Sequence, residues 1–296
     1  MLDRFLKSAV GGAMLLALLL PVSAQGLEVK DDRGLTHHFA QPPLRIVSLL
    51  PSLTETVCAL GQCARLVGVD RYSNYPASVQ KLPKLGGGID PAIEAVLALQ
   101  PDVVLMASSS RSVQQLRSLG LKVLTLEPKS HADMRRVINT LGELLAIAPE
   151  VGAQRVWSAI DSGITAAANA LPAKVRQTKV YIEVNNGPYA ASEASFLGET
   201  LSRLGAVNIV PAALGPFPQL NPEYVVRANP DLIMIGERSD SLAGLAQRPG
   251  WSRIRAIQAQ RVCVFSPEQS DILVRPGPRM DEAARIMAQC LMEKAF

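Results

Sequence analysis

The chain has 296 residues, nearly half of them apolar, and its 30 Lys and Arg against 26 Asp and Glu give a formal charge of +4. That length accommodates one large domain or two medium ones with ample core. Aromatic residues amount to 4% and no Lys/Arg run occurs, which excludes a nucleic-acid stacking surface.

The first residues read as a secretory signal peptide. Arg4 and Lys7 precede an apolar run from Ala9 to Leu20, and Val22-Ser23-Ala24 supplies a small-x-small site for cleavage after Ala24. The run is too short for a comfortable membrane span, and no Cys at the cleavage point offers a lipid anchor. The expectation is a chain exported to the periplasm, its charge lowered to +3 by loss of Asp3, Arg4 and Lys7.

Residues 27–44 then predict a hairpin turning at Gly34 and ending at Pro42-Pro43. Arg45–Leu50 predicts a buried strand stopped by Pro51, followed by a helix to Gly61 with Ser52 or Thr54 as its cap. A strand at Leu66–Val69 leads into the loop Arg71-Tyr72-Ser73-Asn74-Tyr75-Pro76 and the triplet Gly86-Gly87-Gly88. Next come a helix carrying Glu94, a strand at Val103–Met106, a helix over Arg111–Leu119 and a strand at Val123–Leu126. Strand alternating with helix at this spacing predicts a parallel sheet covered on its faces.

Residues 131–171 break the rhythm. No strand candidate occurs, and Met134, Val137, Ile138, Leu141, Leu144, Val156, Ile160 and Ile164 recur at helical spacing, with Pro149 as a kink or restart. The α/β alternation then resumes with strands at Lys179–Val184, Asn208–Val210, Leu232–Ile235 and Val262–Phe265. Helices are expected at Phe196–Leu204, around Glu223 and from Pro278 onward.

The two α/β regions echo one another. Ile93–Leu105 aligns with Pro222–Met234 without a gap at an offset of 129, and Glu55–Gly61 resembles Glu199–Gly205. Each long copy is a short helix with an early Glu, a Pro-Asp turn and an apolar strand. The period is too long for a solenoid. The fold expected is α/β: two similar lobes with parallel-rich sheets, 27–130 and 172–296, joined by a long backbone helix within 131–171.

Four cysteines permit three connectivities, and export permits disulfides. Cys63 can fold back on Cys58 past the helix end at Gly61, and Cys263 can meet Cys290 if the closing helix covers its strand. Neither pair has the spacing of a redox or zinc site.

Arg45–Glu55, Leu66–Val69, Ile93–Asp102, Asn221-Pro222-Glu223 and Arg275-Pro276-Gly277-Pro278-Arg279 occur in an order that resembles the periplasmic solute receptors with a helical backbone. The resemblance covers residues 27–296. That family delivers iron-siderophores, haem or cobalamin to ABC importers, and the chain looks most like its cobalamin-binding members. It implies a monomeric receptor with no cofactor and no catalysis, docking on a permease dimer with its ATPase. The family's docking glutamates, one per lobe, match Glu94 and Glu223, and exposed carboxylates of this kind complement basic pockets on a two-fold partner.

For the cleft, the resemblance implies ligand contact by Tyr72, by Phe217 from the opposite lobe, and by Asp271 and Arg275 at the ligand's polar edge; Tyr189, in Gly187-Pro188-Tyr189, is a further cleft candidate. Two departures stand out. The positions of two corrin-packing tryptophans are Gly88 and Ala107, and a disulfide of some cobalamin receptors would fall at Leu204 and Ala288.

Other classes fit less well. Direct metal capture needs converging His and carboxylate ligands, and the three His are His37, His38 and His131. Haem is a further candidate, with Tyr72, Tyr75 or Tyr189 able to ligate iron. Arg71, Arg111 and Arg275 would suit a ferric siderophore. An enzyme is disfavoured because the glycine triplet has neither Walker nor dinucleotide spacing and no Gly-x-Ser-x-Gly elbow occurs. A sensor or scaffold serving no importer is the remaining alternative.

Overall fold

Strand segments that are apolar at successive positions are buried on both faces, and the two sheets of this protein follow that rule. The computed structural model describes residues 26–185, 189–236 and 242–295, so the segment expected to be a signal peptide lies outside the described residues. The N-terminal lobe comprises β1 (Leu27–Lys30), β2 (Thr36–Phe39), β3 (Ile46–Ser48), α1 (Pro51–Ala59), β4 (Leu66–Val69), α2 (Ile93–Ala98), β5 (Val103–Met106), α3 (Val113–Ser118) and β6 (Val123–Thr125). β1 and β2 form the antiparallel hairpin. The remaining strands make a parallel sheet in the order β4-β3-β5-β6.

Helices α4 (His131–Leu144) and α5 (Ala153–Asn169) connect the lobes. The helical connector thus restarts near Pro149, one of the two alternatives the sequence leaves open. Ala146 adopts a positive φ of 54°, and Pro149 lies in the turn before the restart, its carbonyl accepting from Gln154 N–H at 2.8 Å. α4 starts on a capping box in which Ser130 and Asp133 satisfy each other's backbone N–H groups.

The C-terminal lobe contains β7 (Lys179–Asn185), β8 (Tyr189–Ala190), α6 (Phe196–Arg203), β9 (Val207–Asn208), α7 (Pro222–Ala228), β10 (Leu232–Gly236), α8 (Leu242–Gln247), α9 (Arg255–Gln258), β11 (Val262–Phe265), α10 (Pro267–Leu273) and α11 (Met280–Lys294). Its parallel strands run β9-β7-β10-β11, the same order as the first sheet. β8 adds an antiparallel partner at the far end of β7.

The sequence echo maps onto equivalent elements: α2 with β5, and α7 with β10. Asp102 accepts from the backbone N–H of Arg45 at 2.8 Å, and Asp231 from that of Lys179 at 3.0 Å. Each repeated Asp therefore pins the start of its lobe's central strand. The helix-ending residues Gln100 and Asn229, also 129 apart, share a left-handed backbone with φ of 45° and 47°.

Alternate strand residues face different cores, as a period of two requires. Val103 and Leu105 of β5, with Leu232 and Met234 of β10, belong to one apolar cluster that also takes in Ile138 and Leu141 of α4, Ile160 and Ile164 of α5, and Met287 of α11. The two lobes thus share a continuous core through the connector. Outer faces pack separately, around Val104 and Met106 in one lobe and Tyr181, Ile233 and Trp251 in the other.

Cys58 is bonded to Cys63, and Cys263 to Cys290, so the second bridge ties β11 to α11. Neither Ser52 nor Thr54 caps α1, which begins on Pro51. Thr54 is drawn inward instead, to the hydroxyls of Ser48 and Ser73 at 2.9 Å each.

Candidate ligand cleft

The loop after β4 is set by a buried carboxylate. Asp70 accepts from the backbone N–H of Tyr72 at 2.7 Å and from the Ser73 hydroxyl. Burial pushes its carboxyl above the usual range, although these bonds and the Arg275 and Lys84 charges oppose the rise. Lys84 donates to the Ser73 carbonyl at 2.6 Å and closes the loop from the other side. Held this way, Tyr72 and Tyr75 are 55% and 45% exposed. Arg71 lies 5.8 Å from the Tyr72 ring centre and pairs with Asp90.

Directly behind this loop, the lobes are joined by charge. Glu55 of α1 is almost fully buried, and Arg279 grips it in a two-pronged pair at 2.7 and 2.8 Å. Arg275, itself 7% exposed, adds a contact to Glu55 at 3.1 Å. The same guanidinium bonds Asn74 Oδ1 at 2.7 Å, the Tyr72 carbonyl at 3.0 Å and Asp271 at 2.8 Å. Asn74 Nδ2 completes the ring by donating to Asp271 at 2.8 Å. Arg279 also lies 4.2 Å from the Tyr75 ring centre.

The expected ligand residues therefore divide. Tyr72 is open. Asp271 and Arg275 come together with Tyr72: Arg275 pairs with Asp271 within its own lobe and reaches Glu55, Asn74 and the Tyr72 carbonyl of the other, while Asp271 Oδ2 accepts from Asn74. Phe217 is half-buried and meets Phe196 edge-on at 5.8 Å between ring centres. Tyr189 is 39% exposed on β8; its neighbours Gly187 and Pro188 lie outside the described residues. Gly88 has no room for a larger residue, since a Cβ there would come within 2.8 Å of the Leu49 carbonyl. In sequence, Glu55 and Arg279 stand only as ends of two matching motifs, not as partners, since a pair 224 positions apart leaves no local signal.

Glu94 and Glu223 are exposed in the first turns of α2 and α7, and neither side chain has a partner among the described residues. Each helix leaves the carboxyl edge of its lobe's sheet, which puts both carboxylates at equivalent places. Asn221 caps α7 by accepting from Glu223 N–H at 2.9 Å.

The family model described as periplasmic binding protein matches residues 46–268. The chain belongs to the periplasmic binding protein family. A Bacillus subtilis relative, an uncharacterized ABC transporter substrate-binding lipoprotein, is 32% identical over 86% of this chain and 82% of its own length. A vitamin B12-binding protein of Pectobacterium atrosepticum is 28% identical over 85% and 89%. Among solved structures, a periplasmic heme-binding protein from Pseudomonas aeruginosa is 27% identical, with a TM-score of 0.68 and coverage of 86% of this chain and 94% of that one. Two lobes bridged by helices are the architecture expected of the family's helical-backbone class. Among the described residues no group of His, Cys, Asp and Glu is arranged to hold a metal ion, and no helix is long and apolar enough to cross a membrane.

Proposed function

We propose that this periplasmic binding protein is the receptor of an ABC importer, works as a monomer, and carries an iron tetrapyrrole of the haem class. The observation that carries the ligand reading is Tyr72. Its ring is exposed on a loop fixed from both sides, and its hydroxyl has no hydrogen-bond partner among the described residues. Tyrosine oxygen is an established ligand of haem iron. Tyr75 and Tyr189 provide further exposed aromatic surface. Similarity to a heme-binding structure supports the same ligand class.

A corrinoid is the second reading, favoured by the vitamin B12-binding relative. Weighing against it, Arg275 is buried and engaged with the other lobe, and Gly88 has no space for a packing side chain. Docking on the permease falls to Glu94 and Glu223, one per lobe.

The test of Tyr72 is spectroscopic. Hemin added to the chain is expected to give a saturable Soret band, and Tyr72→Phe to shift that band and weaken binding at least tenfold. An identical spectrum and affinity in the variant would remove Tyr72 as the iron ligand.

A further inference from the structure

A cavity of about 530 Å³ opens in the C-terminal lobe at the carboxyl ends of β7, β10 and β11, the edge at which open α/β sheets take ligands. Its walls include Ile182, Leu197, Met234, Phe265, Leu273 and Met287, none more than 6% exposed. Interiors are normally packed without such space, and the volume lies within the range of small-molecule sites. Gly236 helps define the wall. A Cβ there would stand 2.9 Å from the Ser270 hydroxyl, so glycine is what lets α10 come this close.

The chemistry of the lining is one-sided. No Lys or Arg occurs among the described lining residues, and Asp271, bonded to Asn74 of the other lobe, marks the side facing the cleft. A carboxylate entering here would lose its hydration with no compensating cation among the described lining residues. Two methionines, from a strand and a helix, give the wall an adaptable, polarizable surface suited to a flat conjugated ring.

We infer that this cavity receives the uncharged, vinyl- and methyl-bearing edge of a porphyrin, leaving the propionates outside in the cleft. The inference rests on the iron-tetrapyrrole reading and adds which edge of the ring goes in first. It makes binding partly independent of iron, because the apolar edge is the same with or without the metal.

Metal-free protoporphyrin IX is therefore the probe. Fluorescence titration is expected to show it binding at least tenfold more tightly than coproporphyrin III, whose four carboxylate arms leave no apolar edge. In methyl-labelled protein, ring currents should shift the Met234 and Met287 methyl resonances when protoporphyrin is added. Met287→Trp, which puts a larger and rigid side chain into part of the cavity, should weaken protoporphyrin at least tenfold without lowering the thermal midpoint. Equal affinity for the two porphyrins, or methionine methyls that do not move, overturns the inference, and the resonance shifts decide the matter even if the variant fails to fold. Hemin bound with a Tyr72-dependent spectrum and unmoved methyls would sink the cavity alone. Failure of both hemin and protoporphyrin to bind would sink it together with the haem reading.

Discussion

Glu55→Gln removes the one negative charge that two arginines of the opposite lobe share. The side chain keeps its size, so the loss is electrostatic. Breaking a buried ion pair by neutralising one partner costs about 3–5 kcal/mol. Here the two arginines are affected unequally. Arg275 retains Asp271, Asn74 and the Tyr72 carbonyl. Arg279 loses both of its bonds to Glu55 and keeps the Tyr75 ring. The expected destabilisation is thus at the lower end, about 3 kcal/mol. Urea unfolding reports it, with Trp157 of the connector and Trp251 of the C-terminal lobe as fluorescent probes whose coincidence checks two-state behaviour. Combining Glu55→Gln with Arg279→Gln should cost clearly less than the sum of the single changes, because each removes the same interaction. A single variant within about 1 kcal/mol of wild type, the range of an exposed pair, would refute the assignment of this cluster as a buried inter-lobe tie.

Other consequences are equally direct. Asp31 is buried, but bonds from Leu35 N–H, Thr125, His37 and Arg117 outweigh that burial and hold its carboxyl at about 2, below the ordinary 3.8. Its contribution, about 2 kcal/mol, is present above pH 4 and lost as pH falls through 2; Asp31→Asn should flatten the acid limb of stability against pH, and parallel limbs would contradict this. Chain-entropy arguments give about 3.5 kcal/mol for the Cys263–Cys290 bridge, whose ends are 27 residues apart, and about 2 kcal/mol for Cys58–Cys63, 5 apart. Urea titrations of the two Cys→Ser pairs should preserve that order. Reversing both Glu94 and Glu223 to Lys should abolish uptake in cells while leaving ligand titrations unchanged, and normal uptake would end the docking assignment.

The fold was legible where local pattern and burial coincide. Alternation of apolar strands with helices gave the parallel sheets, and the Glu94/Glu223 echo reappears as helix and strand pairs in the same place in two sheets of the same order. The repeated Pro-Asp turn also proved structural, since Asp102 and Asp231 both hold a strand start. Helix α10 was missed although Ser266, Pro267 and Gln269 spell a capping box with proline in the first turn. Seven residues are too few for periodicity to register. In the connector, Pro149 marks a kink or a restart in sequence; the structure takes the restart, across a turn at Ala146 that a left-handed residue creates without a glycine to announce it. At the site, sequence brought out Tyr72, Asp271 and Arg275, which do lie together, but not what Arg275 is bound to. A contact to Glu55, 220 residues away, depends on how two lobes meet, and no spacing rule encodes that.

The central claim, an iron tetrapyrrole carried between the lobes, is tested most directly by calorimetric titration of hemin and, separately, cyanocobalamin into the folded chain. One-to-one hemin binding is expected, with cyanocobalamin binding weaker by at least a hundredfold. Tight cyanocobalamin binding with no heat from hemin would contradict it and make the ligand a corrinoid.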